Sequence, residues 1–247
     1  MRCLTSLGLN QSSSPAPEPA GRLRHYFIRY GIRFFVRCYL RVRRHRFERL
    51  PKAPYVVCFN HPNWTDPFLL AAFWPEPPWL YIFGPREEDM GTGWKNRLIR
   101  WSHMAVPFKP SKSDLLDTTR RAVGVLKRGD VLAIAGEGRL SDREGAIVPL
   151  QEGAAFFALR ARVPIVPLAI IGTRWLHFGK RVTMTVGPPL PVDDLKPDRE
   201  GLAQMTARIT AAMDKLLAGD HDDTPPGPFG RWLTDAFNDR PWLKEKE

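Results

Sequence analysis

The sequence predicts an α/β fold: a mostly parallel central sheet flanked by helices, preceded by an N-terminal basic amphipathic helix. Three observations carry this expectation. Short apolar runs alternate with longer stretches of helical period between residues 55 and 217, the pattern of parallel strands joined by crossover helices. Apolar residues make up 43% of 247, enough to fill one sizeable core. Nine arginines and no Asp or Glu lie between residues 21 and 46, interleaved with aromatic and aliphatic side chains, which sets that segment apart from the rest of the chain.

Residues 1–20 contain the run Ser12-Ser13-Ser14-Pro15-Ala16-Pro17-Glu18-Pro19 and read as a disordered leader, since such a composition buries too little apolar surface to order itself. The basic segment, 21–50, is expected to be helical to about Phe47. On a helical projection Arg29, Arg33, Arg37 and Arg41 form a stripe at i,i+4 spacing, and most apolar residues, Phe34 and Phe35 among them, fall on the other side. This predicts a helix lying in a lipid interface, arginines on phosphates and rings among acyl chains. Packing of the apolar face on the domain is the alternative.

The α/β domain is expected over residues 51–219. Its strands are read at 55–59, 79–83, 104–108, 131–135, 164–171 and 182–186, and its helices at 64–73, 93–101, 113–127, 153–162 and 199–217. Residues 220–247 form a linker and C-terminal tail: Asp, Pro and Gly crowd 220–230, and Phe229, Trp232, Leu233, Phe237, Trp242 and Leu243 give the tail an amphipathic character. That tail docks either on the core or on lipid.

Several function classes are excluded at this stage. No run reaches the roughly 18 apolar residues that span a bilayer, and residues 1–10 lack the zones of a signal peptide. Cys3, Cys38 and Cys58 are odd in number and match no metal spacing, so a reduced cytosolic compartment and no bound metal are expected. The net charge of +11 calls for a polyanionic partner. Aromatic interleaving favours anionic membrane lipids, and without a recognisable nucleic-acid module no nucleic acid is expected.

The chemistry is carried by Asn60-His61-Pro62-Asn63-Trp64-Thr65-Asp66, placed directly after the apolar run Tyr55-Val56-Val57-Cys58-Phe59. A neutral imidazole takes a proton from an alcohol, and a neighbouring carboxylate fixes its tautomer and steadies the imidazolium. A strand followed by a sharp turn and a helix places both groups at the carboxyl edge of a sheet, where open α/β folds keep their sites. Trp64, Phe68, Leu69, Phe73, Trp74, Trp79 and Tyr81 are the apolar residues nearest the pair in sequence; they line an acyl tunnel or form ordinary core. A hydrolase would need a nucleophile in an elbow such as G-x-S-x-G, which the chain lacks.

Downstream lie Glu137-Gly138-Arg139-Leu140-Ser141 and Val163-Pro164-Ile165-Val166-Pro167. In order and spacing with the His-x4-Asp segment, they resemble the motifs of the glycerolipid acyltransferase superfamily, that of 1-acylglycerol-3-phosphate acyltransferases, over roughly residues 51–189. The resemblance implies transfer of a fatty acyl group from acyl-CoA or acyl carrier protein, a co-substrate rather than a cofactor, to the free hydroxyl of a lysolipid acceptor. It makes His61 the general base and Asp66 its partner, with no acyl-enzyme. Glu137, Gly138, Arg139 and Ser141 would hold the acceptor, at the cytoplasmic face of a membrane and peripheral (monotopic) to it.

The chain departs from the family in its second motif. Met104-Ala105-Val106-Pro107-Phe108-Lys109-Pro110 places Pro110 where the family has an arginine, so Lys109 or Lys112 would supply the positive charge, without arginine's planar fork. Gln151 likewise replaces a frequent lysine. These departures leave open an acceptor that is not a phosphomonoester, or a catalytically weak lipid-surface binding protein of the same fold.

Overall fold

A computed structural model describes residues 19–86, 93, 97–98, 101–108, 112–141, 144–145, 148–219, 221 and 223–238. The chain runs α1 (Pro19–Tyr39), β1 (Arg41–His45), β2 (Tyr55–Phe59), α2 (Asp66–Phe73), β3 (Leu80–Arg86), β4 (Ala105–Phe108), α3 (Lys112–Lys127), β5 (Val131–Ala135), α4 (Gly153–Ala161), β6 (Ile165–Ile171), β7 (Arg181–Val186), α5 (Arg199–Leu217) and α6 (Pro228–Asn238). The helix expected at 93–101 lies largely outside the described residues.

The strands form one seven-stranded sheet in the order β1-β7-β6-β2-β5-β3-β4. Every pairing is parallel except β6 with β7. Central β2 is buried at all five positions, as parallel strands covered on both faces must be. Its side chains alternate between two cores. Val56 and Cys58 join Leu132, Ala155, Leu159, Met205 and Ile209 on the side of α3, α4 and α5. Tyr55, Val57 and Phe59 join Leu69, Leu70, Trp74, Val166 and Met184 on the side of α1 and α2.

The sequence reading missed one strand and carried the first helix too far. Helix α1 stops at Tyr39, and the next five residues after Leu40, Arg-Val-Arg-Arg-His, pair in parallel with β7 from Arg41↔Arg181 to His45↔Thr185. Arg41 is therefore a strand residue. The arginine period continues smoothly across this junction, which is why the helix reads too long. What overrides it is an edge strand whose ladder bonds use backbone alone and whose exposed charges discourage further pairing.

The arginine side of the helix departs from the expectation. Arg29 is buried: it donates to the carbonyls of Ala71 (3.1 Å) and Trp74 (2.5 Å) and pairs with Glu76 at 2.9 Å. Arg44 donates to Phe73 O at 3.1 Å, while Arg33 and Arg37 lie over the Phe73 ring at 5.7 and 5.9 Å. The arginines thus gather on the C-terminal end of α2, whose last carbonyls have no intrahelical donor and carry the negative end of the helix dipole. Phe34 and Phe35 do face outward, with Leu23, Phe27 and Tyr30, all more than half exposed.

Candidate active site

Register brings the two motif loops together. Phe59 pairs with Ala135 across β2 and β5, and with Leu168 across β2 and β6, so the loops after β2 and β5 leave the sheet at the same level. Gly136 N donates to Phe59 O at 2.9 Å and Ser141 N to His61 O at 2.8 Å. Gly136 must lack a side chain, since a Cβ there would stand 2.8 Å from Cys58 Sγ and from Leu150 Cδ2. Gly138 turns in the left-handed region at φ 65°, a conformation that favours glycine.

The His61 ring stands 2.9 Å from Asp66, Nδ1 to Oδ2, and is largely shielded, while the Asp66 side chain is wholly buried at the first turn of α2. The same Oδ2 accepts from Asn63 N at 2.8 Å, so the carboxylate holds both the ring and the loop. A carboxylate accepting from Nδ1 places the imidazole proton there and leaves Nε2 with its lone pair. No partner for Nε2 occurs among the described residues. Edge-on rings of Phe59 and Trp64, at 5.9 and 6.3 Å, flank the imidazole.

Glu137 is buried beside this pair. Its Oε1 accepts a long bond from Val148 N at 3.4 Å, and Oε2 has no partner among the described residues. Burial raises its pKa; the Val148 N–H bond, the His61 ring and the His61 backbone N–H oppose that shift, and the Asp66 charge adds to it, placing the carboxyl within electrostatic reach of both. An orphaned carboxylate oxygen in such a place suits a ligand hydroxyl. Arg139 is exposed and Ser141 buried. Lys109 lies outside the described residues, and Lys112 opens α3 with a side chain that is likewise outside them.

Three residues at the site's edge fix the loops; only Asn60, opening the His-x4-Asp segment, carried a signal in the sequence. Asn60 exchanges both amide bonds with Ile170 of β6 (2.8 and 2.7 Å), clamping the end of β2. Glu144 accepts from Gly172 N and Arg174 N at 2.7 and 3.0 Å, tying the loop after β6 to the loop after β5. Asn238, from α6, accepts from Trp64 N at 3.0 Å. Neither a lone Glu in a loop nor an Asn in a tail announces such a contact.

Of the apolar candidates, Leu69, Phe73, Trp74 and Tyr81 are ordinary core. Phe68 instead lines a small, mostly apolar recess of about 10 Å³ with Ile28, Ile32, Pro67, Ala71, Ile82, Leu98, Ser102 and Met104, and Trp64 packs against the same residue. Cys58 is no nucleophile: burial, and then the Glu137 charge, push its thiol up to about 12, which keeps it protonated and inert. Among the described residues no cluster of His, Cys, Asp and Glu is suited to a metal, and no helix is long and apolar enough to cross a membrane.

A family model described as Acyltransferase matches residues 41–171, from β1 to the end of β6 and across both loops. The chain belongs to the Acyltransferase family. Among its family relatives, the 1-acyl-sn-glycerol-3-phosphate acyltransferase alpha of Bos taurus is 26% identical over 183 residues, 71% of this chain but 60% of that protein. The chain therefore spans less than two thirds of the bovine relative's length. The 1-acyl-sn-glycerol-3-phosphate acyltransferase of Bacillus subtilis is 25% identical over 178 residues, 68% of this chain and 84% of the relative. In fold, this Acyltransferase member is similar to the crystal structure of the 1-acyl-sn-glycerophosphate (LPA) acyltransferase PlsC from Thermotoga maritima, with a TM-score of 0.59 at 18% identity, covering 82% of this chain and 81% of that one.

Proposed function

We propose that the protein transfers a fatty acyl group from an acyl thioester, acyl-CoA or acyl carrier protein, to the free hydroxyl of a lysophospholipid of the 1-acylglycerol-3-phosphate type, in phospholipid biosynthesis or remodelling. The observation that supports this best is the His61–Asp66 pair at 2.9 Å, joined through Ser141 N to the loop that carries the half-satisfied Glu137.

In this reading Nε2 of His61 takes the acceptor's hydroxyl proton as the oxygen attacks the thioester carbonyl carbon. The new C–O bond forms while the carbonyl electrons move onto oxygen. Their return expels the thiolate, which takes the proton back from the imidazolium, leaving an ester and a free thiol. Asp66 stabilises the transient imidazolium. Glu137 accepts from a glycerol hydroxyl, and exposed Arg139 forks onto the head-group phosphate. Pro110 in place of an arginine favours a second reading of the acceptor, as a lysolipid whose phosphate carries a further head group.

The test is purified protein with labelled acyl-CoA and a panel of lysolipids with bare and substituted phosphates. Acyl transfer that disappears in His61→Ala supports the proposal, and the preferred panel member decides the head group. Free fatty acid as the sole product, or no turnover with any donor, overturns it.

The same reading places the protein peripherally on the cytoplasmic face of an anionic membrane. Here the support comes from the outward rings of Phe27, Phe34 and Phe35, with exposed Arg37 and Arg41 beside them, rather than from a full arginine stripe. Replacing Phe34 and Phe35 by Ser is expected to reduce flotation with anionic liposomes several-fold. Unchanged flotation overturns the lipid-facing assignment.

A further inference from the structure

Helix α6 has no part in the chemistry just described, yet it is fixed to the carboxyl edge at two points. Thr234, wholly buried, accepts from Leu176 N at 2.9 Å and donates to Gly230 O at 2.8 Å. One turn on, buried Asn238 accepts from Trp64 N through Oδ1 at 3.0 Å. Thr234 and Asn238 are i,i+4 and share the inward face; Phe229 and Trp232 stand exposed elsewhere on the helix.

Trp64 lies between His61 and Asp66, and the bonding of that loop shows what Asn238 supplies. Asn63 N donates to Asp66 Oδ2 (2.8 Å), Thr65 N to Asn63 Oδ1 (2.9 Å) and Asp66 N to Asn63 O (3.0 Å). All three acceptors belong to the loop itself or to the residue that ends it. The fourth donor, Trp64 N, is met from 174 residues away in sequence. A loop amide without an acceptor in a shielded site is costly and pulls the backbone toward water.

We infer that Asn238 is a positioning residue for the general base: by holding Trp64 N it keeps the loop in the one conformation that sets Asp66 against His61 Nδ1. The helix acts as a strap across the loop, contributed by the far end of the chain. The inference rests on the acyl-transfer reading for its kinetic readout, while a substrate-free readout keeps the two separable. The side chain's Nδ2 has no partner among the described residues, so Asn238→Asp keeps every bond described for the side chain, whereas Asn238→Leu removes the acceptor at similar size.

The experiment follows the His61 Nδ1 proton resonance by NMR in wild type, Asn238→Leu and Asn238→Asp, with acyl-transfer kinetics alongside. In the Leu variant the carboxylate contact loosens, so the downfield resonance of the bonded Nδ1 proton moves upfield or is lost to exchange with water. With it kcat drops about 10- to 100-fold while KM for the donor stays within about two-fold. The Asp variant keeps Trp64 N bonded and recovers the resonance and most of kcat. A folded Leu variant with the wild-type resonance and kcat, or an Asp variant no better than Leu, overturns the inference.

Amide exchange in the wild type serves where the Leu variant does not fold. Trp64 N is expected to be protected as strongly as the α2 amides; fast exchange there overturns the inference. If the wild type shows no acyl transfer with any acceptor, the functional reading fails, and the Nδ1 proton resonance and amide exchange still judge Asn238.

Discussion

In the loop after β2 Asp66 is taken up by the ring and backbone of its own loop, its second oxygen buried without a partner among the described residues, whereas in the loop after β5 Glu137 takes one long backbone bond and grips no side chain of its own loop among the described residues. In the first, Asp66 Oδ2 holds both His61 and Asn63, Asn60 clamps the strand end and Asn238 takes the remaining amide. In the second, Glu137 has one long bond and one orphaned oxygen, and Gly138 and Arg139 face solvent. In the proposed acyl transfer the difference separates two tasks. A general base must be held still, because proton transfer depends steeply on geometry; a recognition loop must leave polar valence for a ligand to complete.

The sharpest way to break the comparison is His61→Ala, expected to lower kcat by roughly 10² to 10⁴ in a folded protein, as judged by unchanged circular dichroism and labelled-acyl transfer. Asp66→Asn comes next. Its amide retains an accepting oxygen for Asn63 N but gives up the charge that steadies the imidazolium, so kcat is expected to fall at least about ten-fold, with little change in acceptor KM. Were KM to carry the loss, the first loop would be a binding element and the contrast would fail.

Glu137→Gln probes the second loop and moves activity and stability in opposite directions. Acceptor kcat/KM should fall about ten-fold, the scale of one hydrogen bond to a charged group. Burial raises the Glu137 pKa, so the folded chain holds this proton more tightly than the unfolded chain. The stabilisation from that proton is complete below the unfolded pKa and lost as pH rises through the folded one. The ionised carboxylate therefore burdens the fold at neutral and higher pH. Glu137→Gln is expected to melt above the wild type at pH 8, with the gap closing toward pH 4; a pH-independent gap would show that the carboxyl is not desolvated. Arg139→Lys should have the smallest effect, a several-fold rise in acceptor KM with kcat unchanged, reflecting loss of the planar fork but not of the charge.

Much of this was legible beforehand, for physical reasons. Strands β2 and β5 are continuous apolar runs because both faces are covered, and their reading at 55–59 and 131–135 matches the structure residue for residue. The His61 and Glu137 loops were visible because each directly follows such a strand. Strand β1 was not visible, since its pattern of exposed charge carries no alternation and its stability comes from backbone pairing with β7. The inward turn of Arg29 was not visible because burial of arginine is normally disfavoured; here the bare carbonyls ending α2, with Glu76, repay it. Contacts such as Asn238 to Trp64 N join residues 174 apart, and no local pattern encodes them.

The Arg29–Glu76 pairing has a mechanical consequence. Peeling α1 away from the domain would break every bond from Arg29 to the Ala71 and Trp74 carbonyls and to Glu76 at once. The helix is therefore no leash from which a domain swings. On the leaflet proposed above, α1 and the sheet would float as a single raft, with the depth of the aromatic keel setting the height at which the carboxyl edge rides.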